Sequence, residues 1–232
     1  MDTRSARRSF LKTGIAFVPG VAIAAAPVRF VGNPAAPGGH FFSAAERDFV
    51  DAAIARLIPA DDLGPGAKEA GVGDFIDSQL AGPYGAARTW YMQGPWSDGT
   101  PEQGWQSKLG PAQMYRAAIA ATEAHCAGQY GGRRFSQLDA ATQDKLLHGL
   151  EKGDIQLAQA DAKAFFELLW QNTQEGFLAD PMYGGNRGFA GWKLIGFPGP
   201  RYNYVAEIKQ YGKRYTQQTV GLLGRDPDRR TA

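Results

Sequence analysis

Cysteine and histidine are scarce in this sequence, and their scarcity excludes several kinds of site. Cys126 is the single cysteine, and the three histidines stand at positions 40, 125 and 148. An intramolecular disulfide, a cysteine-bound iron–sulfur cluster and a Cys-x-x-Cys-His haem site are therefore excluded. The histidines have no metal-ligand spacing. We expect no cofactor and no metal in this chain, so that any redox group would belong to another chain.

A basic surface suited to nucleic acid is also missing. The net charge of the chain is +2, but Arg4, Arg7, Arg8 and Lys12 oppose only Asp2 near the N-terminus. The rest of the chain therefore carries a net charge of about −1. We expect no nucleic-acid partner.

No set of catalytic residues stands out. The nucleophile pattern G-x-S-x-G is absent, and the 23 acidic residues include no distinguished pair for acid–base catalysis. His125 and Cys126 are neighbours near the end of a predicted helix, where their side chains point to different faces and cannot converge as a nucleophile and its base. We interpret Cys126 as a small buried residue and predict that the chain is not catalytic alone.

The N-terminus has the pattern of an export signal. Arg7 and Arg8 precede Ser9-Phe10-Leu11-Lys12, and an apolar run follows over residues 14–26. That run is short and rich in Gly, Pro and Ala for a membrane span. We predict a twin-arginine signal over residues 1–26, cleaved near Ala24, and then a linker over residues 27–40. An uncleaved signal that acts as an anchor is the alternative.

Helical periodicity dominates the rest of the chain, and no alternating β pattern rivals it. Caps and apolar stripes predict helices near residues 43–58, 72–80, 111–128, 139–153 and 160–178. We expect a mainly α fold of about five helices, packed as an irregular bundle with long loops rich in Gly and aromatic residues. This domain would span residues 41–211 and precede a polar tail over residues 212–232. Tyr202, Tyr204, Ile208 and Tyr211 could form a short docking segment.

Residues 81–110, here called the aromatic loop, show no helical period. The loop combines six glycines with Tyr84, Trp90, Tyr91, Trp96 and Trp105. Its aromatic content argues against disorder. Two interpretations remain open, because such a loop can wrap its own domain or form a surface for a partner. In the second case Trp96 and Trp105 would contact the partner.

Residues 180–200 have the sequence DPMYGGNRGFAGWKLIGFPGP, and their pattern is typical of neither a helix nor a strand. Glycine is frequent where the backbone takes positive φ or lies close to another surface, and the aromatic residues add large apolar area. The G-x-x-G-x-x-G spacing from Gly185 lacks the opening of a dinucleotide-binding fingerprint. The pattern predicts a shaped loop that packs on a partner, with a loop folded on its own core as the alternative.

This run resembles the D-P-x-Y-G-G-N-R-x-x-x-G-W-x-x-I-G-F-P-G signature of the small subunit of gluconate 2-dehydrogenase, and residues 180–199 are called the signature loop below. Residues 41–80 resemble the same family less closely. The resemblance implies an accessory subunit of a membrane-bound, FAD-dependent sugar or sugar-acid dehydrogenase. It also implies that FAD and haem c are carried by two partner chains, a large flavoprotein subunit and a cytochrome c subunit.

Together, the export signal and the resemblance indicate a periplasmic location at the outer face of the inner membrane. The expected function is to stabilise and co-export the flavoprotein, whose electrons pass through the cytochrome to quinone. A stand-alone periplasmic binding module and a cofactor-free hydrolase are the alternatives. In the signature loop, the residues expected to face the partner are Tyr183, Asn186, Arg187, Trp192 and Phe197.

Overall fold

The computed structural model describes residues 40–97 and 99–224, except for the side chain of Pro101. The predicted signal, most of the predicted linker and residues 225–232 of the predicted tail lie outside the described residues. Six α-helices occur in the described part: α1 Ala44–Leu57, α2 Val72–Ala81, α3 Pro111–Gln129, α4 Ala140–Lys152, α5 Ala162–Leu178 and α6 Ala190–Ile195. Short 3₁₀ turns add Pro101–Gln103, Phe135–Gln137, Pro181–Tyr183 and Arg187–Phe189. The predicted mainly α fold is confirmed.

Side-chain caps explain where three of the helices begin. At α1, the Glu46 backbone N–H donates to Ser43 Oγ, and the Ser43 backbone N–H donates to Glu46 Oε2 at 2.8 Å. Asp139 accepts from the Thr142 N–H at α4, and Asp161 accepts from the Ala164 N–H at α5. These acceptors satisfy backbone donors that have no partner within their helices.

Helix α5 lies at the centre of the domain, where it packs against α1, α2, α3 and α4. Its apolar face joins a single core whose largest fully buried apolar side chains are Tyr115, Phe49, Phe135, Phe165, Ile54, Ile76, Met114, Leu150 and Leu169. Full burial of one such aliphatic or Phe side chain contributes about 1.5–3 kcal/mol. The carboxyl end of α5 is thereby a rigid support for the chain that follows it.

A buried polar network fixes the start of the aromatic loop to α5. The Tyr115 hydroxyl donates to Asn172 Oδ1 at 3.0 Å, and Asn172 Nδ2 donates to the Tyr84 hydroxyl oxygen at 2.8 Å and to Glu175 Oε2 at 3.2 Å. Burial raises the pKa of both tyrosines, and that of Tyr115 rises well above its ordinary value. Both hydroxyls therefore stay neutral and available for these hydrogen bonds.

The signature loop contains a helix that the sequence pattern did not predict. Residues 190–195 form the short helix α6 between Phe189 and Gly196, both of which have left-handed backbone angles. The expectation of a segment without helix is therefore wrong for this part. The run from Trp192 to Ile195 contains no glycine and can therefore adopt helical backbone, and the Trp192 side chain packs inward.

No helix within residues 40–97 and 99–224 has both the length and the apolar character needed to cross a bilayer.

Candidate partner interface

The signature loop lies directly against the end of α5, and two of its glycines make this approach possible. A Cβ atom at Gly185 would collide with the carbonyl oxygen of Gly176, and one at Gly191 would collide with that of Phe177. Both collisions involve helix backbone, which cannot move aside as a flexible side chain does. The loop is therefore packed on its own domain along one side.

Asn186 fixes the course of the loop from the inside. It is fully buried and has a left-handed backbone conformation, with φ 48°. Its Nδ2 donates to the Ala179 carbonyl, and its Oδ1 accepts from the Gly191 N–H, both at 2.8 Å. The prediction that this side chain faces a partner is wrong, because the amide is used to satisfy backbone groups on both sides of the turn.

Trp192 also points inward, and only 5% of its surface is exposed. Its indole N–H donates to the Leu178 carbonyl at 2.7 Å, and its ring stacks on Phe189 with centroids 5.4 Å apart. The prediction that Trp192 faces a partner is therefore corrected. The indole is the anchor that attaches α6 to the end of α5, where both its apolar area and its N–H are satisfied.

Tyr183 and Phe197 do lie at the surface, with 47% and 39% of their areas exposed. Phe197 rests edge-on against Trp192 at 5.0 Å, so its position is set by the buried indole. The structure adds exposed apolar residues that the sequence interpretation missed, namely Leu178, Met182, Leu194 and Ile195. The first two flank the Asp-Pro turn and the last two follow Trp192, so the helical spacing of α6 was the signal that could have found Leu194 and Ile195.

Arg187 binds the signature loop to the start of α2. Its backbone N–H donates to the Ala70 carbonyl at 3.0 Å, its side chain lies over Gly71, and its guanidinium pairs with Asp74. Asp74 is also held by Arg47 at 2.6 Å, and Arg47 pairs in turn with Asp51 at 2.8 Å. These four side chains, called the arginine clasp, carry no net charge as a group.

The clasp alters the acidity of Asp74. Partial burial alone would raise the pKa of this carboxyl, but the hydrogen bonds and positive charges of Arg47 and Arg187 outweigh burial and lower it. The Arg187 guanidinium remains about half exposed. Some of the guanidinium N–H groups are therefore accessible to a further acceptor, although the charge of Arg187 is already paired.

The aromatic loop lies partly against its own domain, while its contact with a partner stays a prediction. The Trp105 indole N–H donates to the Leu109 carbonyl at 2.9 Å, and its ring meets Trp90, which in turn meets Tyr84. Trp105 is thus partly buried in its own domain, whereas Trp96 is exposed. The base of the loop wraps the domain, and its middle presents side chains to the outside.

Away from the signature loop, a cavity of about 860 Å³ lies between the ends of α3 and α4 and is lined by half-buried and exposed side chains that include His125, Lys145 and His148. None of the residues predicted to contact a partner lines it. Cys126 is buried as predicted, and burial with the nearby charge of Glu123 raises the pKa of its thiol to about 11. Among residues 40–97 and 99–224, no three His, Cys, Asp or Glu residues are grouped to hold a metal ion.

A helical domain with an ordered loop and several exposed aromatic and aliphatic side chains has the construction of a subunit that packs against another protein. The family model described as gluconate 2-dehydrogenase subunit 3 matches residues 44–199, which include all six described helices and the whole signature loop. The chain belongs to this family, and it is accordingly a subunit of a gluconate 2-dehydrogenase complex. No curated protein and no solved structure matches the chain.

Proposed function

We propose that this chain is the non-catalytic small subunit of a periplasmic, membrane-associated FAD-dependent dehydrogenase that oxidises gluconate or a related sugar. Its role is to stabilise the large flavoprotein subunit and to escort it through the twin-arginine route. The flavoprotein carries FAD and oxidises the substrate, and a cytochrome c subunit with haem passes the electrons to quinone.

The family membership carries this proposal, and the geometry of the signature loop supports it. The loop is held by internal contacts of Asn186, Trp192 and the clasp, so it keeps its shape without a partner. It nevertheless exposes Tyr183, Phe197 and the aliphatic residues of α6. A preformed surface with apolar anchors lowers the entropic cost of association.

Co-purification tests the proposal most directly. The full chain, tagged at its C-terminus and exported from its native host, is recovered from periplasm and from detergent-solubilised membranes. The recovered material is analysed by mass spectrometry and by flavin and haem absorbance. We expect near-equimolar recovery with a large flavoprotein. A lone chain without flavin would overturn the proposal and favour a stand-alone binding module.

A pair of variants locates the contact. Replacing Tyr183 and Phe197 together by Ser removes exposed apolar area from the signature loop, and we expect it to reduce flavoprotein recovery. Leu63→Ser removes an exposed apolar side chain from the turn after α1 and serves as the control. Unfolding curves establish that both variants are folded. Equal recovery with both variants would place the interface outside these two residues.

A further inference from the structure

The segment that follows the signature loop exposes an unusual amount of apolar surface. Residues 200–224, called the C-terminal arm, lie beyond the family match, which ends at residue 199. Within the arm, Tyr202 is fully exposed and Tyr211 is 86% exposed. The other exposed apolar residues of the arm are Tyr204, Val205, Ile208, Leu222 and Leu223. In a protein that acts alone, such a concentration of apolar side chains in water would be unfavourable.

The arm is nevertheless attached to the signature loop at a defined place. The Val220 N–H donates to the Pro198 carbonyl at 3.3 Å, and the Leu222 N–H donates to Asp180 Oδ2 at 2.7 Å. The other oxygen of Asp180 accepts from the Met182 N–H at 3.0 Å. One carboxylate thus holds the end of the arm beside the start of the signature loop. The exposed side chains of Leu222 and Met182 consequently belong to neighbouring parts of the surface.

Contacts inside the arm give it the form of a closed loop. The Arg201 guanidinium donates to the Gln218 carbonyl, and the rings of Tyr204 and Tyr215 meet with centroids 6.0 Å apart. These contacts join the two ends of the arm. The residues between them, 205–214, are largely exposed and include Ile208 and Tyr211. The arm therefore presents its apolar residues outward instead of covering the core with them.

The charge of the arm is strongly one-sided. The arm contains one acidic residue, Glu207, and four basic residues, namely Arg201, Lys209, Lys213 and Arg214. Its net charge is therefore +3. A basic surface with interspersed tyrosines complements an apolar surface that is rimmed by carboxylates. Tyrosine and arginine are also among the residues enriched at the energetic centres of protein interfaces.

We propose that the C-terminal arm is a docking element for an acidic, apolar patch on the flavoprotein subunit, continuous with the exposed part of the signature loop. The inference rests on the proposed function, since it takes the flavoprotein as the partner. A protein surface fits better than a lipid surface. Segments that lie in the surface of a bilayer are typically amphipathic helices, whereas residues 200–224 form no helix.

Two variants of the full chain test the inference with the flavoprotein subunit co-expressed and purified. Ile208→Ser with Tyr211→Ser removes apolar area, and Lys213→Glu with Arg214→Glu reverses charge. We expect each to raise the dissociation constant at least about tenfold, as is typical when central interface contacts are lost. The charge variant should also weaken the salt dependence of association, because screening then acts on fewer attractive charges. Leu63→Ser and Lys145→Glu are the matched controls, each exposed and outside the arm.

The outcomes separate the inference from the proposed function. If the wild-type chain binds the flavoprotein and both arm variants bind it equally well, the docking arm is disproved while the proposed function stands. If the wild-type chain recovers no flavoprotein, both are overturned. Retained flavoprotein binding with lost binding to vesicles that contain phosphatidylglycerol would assign the arm to the membrane and overturn the protein partner. All substituted arm side chains are exposed, so unfolding curves should match the wild type.

Discussion

Asn172 connects three parts of the chain through one side chain. It accepts from Tyr115 on α3, donates to Tyr84 in the aromatic loop, and stands on the central helix α5. Because Asn172 is buried, each hydrogen bond replaces one that water would otherwise make. A leucine here would leave the buried Tyr115 hydroxyl and the half-buried Tyr84 hydroxyl without this partner.

We therefore predict that Asn172→Leu lowers the free energy of unfolding by about 1–3 kcal/mol, the cost of leaving buried polar groups unsatisfied. Urea denaturation measures the change. Tyr115→Phe is the comparison, since it removes one hydroxyl and spares the bond between Asn172 and Tyr84, and its effect should be smaller. Unchanged stability of the leucine variant would mean that the network contributes nothing.

Asp74 gives the arginine clasp a defined pH dependence. The folded protein lowers the pKa of this carboxyl below its usual 3.8, so the charged form is favoured by folding. The resulting stabilisation is fully present above that value and is lost as the pH falls through the lowered folded-state pKa. Because the pair is partly exposed, solvent screening limits its size to about 1 kcal/mol or less.

Asp74→Asn should therefore be less stable than the wild type at neutral pH, and the difference should shrink as the pH falls below 3.8. Unfolding curves recorded between neutral and acidic pH test this expectation. Asp62→Asn, in the exposed turn after α1, is the control for loss of a carboxylate. A difference that stayed constant down to acidic pH would show that charge pairing is not its source.

At the scale of whole elements, the signature loop depends on close contact between its backbone and α5. Gly185 and Gly191 lie where a methyl group would overlap helix carbonyls. We predict that Gly185→Ala or Gly191→Ala destabilises the protein by about 1–3 kcal/mol, as overpacking of a close contact does. Thermal unfolding and protease sensitivity of the loop provide the measurements.

Gly128 is the matched control for these glycines. It lies in α3, and a Cβ atom there would meet nothing within 4 Å. Gly128→Ala should therefore be neutral, or stabilise the helix by up to about 1 kcal/mol through its higher helix propensity. If all three alanine variants behaved alike, backbone contact with α5 would not be the reason for glycine in the signature loop.

The sequence predicts the positions of the helices better than it predicts which loop side chains are buried and which are exposed. Caps such as Ser43 and Asp139 and the apolar stripes are local signals, and they located α1 to α5. The direction of a loop side chain depends on contacts that are distant in the chain. Nothing near Trp192 in the sequence indicates that its N–H donates to the Leu178 carbonyl, so the local pattern predicts an exposed aromatic residue. The arginine clasp likewise joins residues that lie 113 positions apart in the chain.

At the scale of the whole molecule, the chain divides the tasks of folding and contact between separate residues. The contacts of Asn186, Trp192 and the glycines shape the loop from the inside. The side chains of Tyr183, Phe197, Leu194 and Ile195 are exposed on its outer side. Family membership was predictable from the loop sequence, because the glycines and anchors that shape it are a specific pattern. The location of the complex and the chemistry of its partners stay predictions.

The export route can be tested at this scale through the N-terminal arginine pair. Replacing Arg7 and Arg8 by Lys keeps the positive charge but removes the twin-arginine pattern that the export machinery reads as an address. We predict that both this chain and the flavoprotein then remain in the cytoplasmic fraction, as measured by immunoblotting and by flavin-dependent gluconate oxidation. Arg4→Lys, which lies outside the pair, should export both proteins normally. Flavoprotein that reached the periplasm while this chain stayed behind would disprove the escort role, and export of the doubly substituted chain would disprove the signal itself.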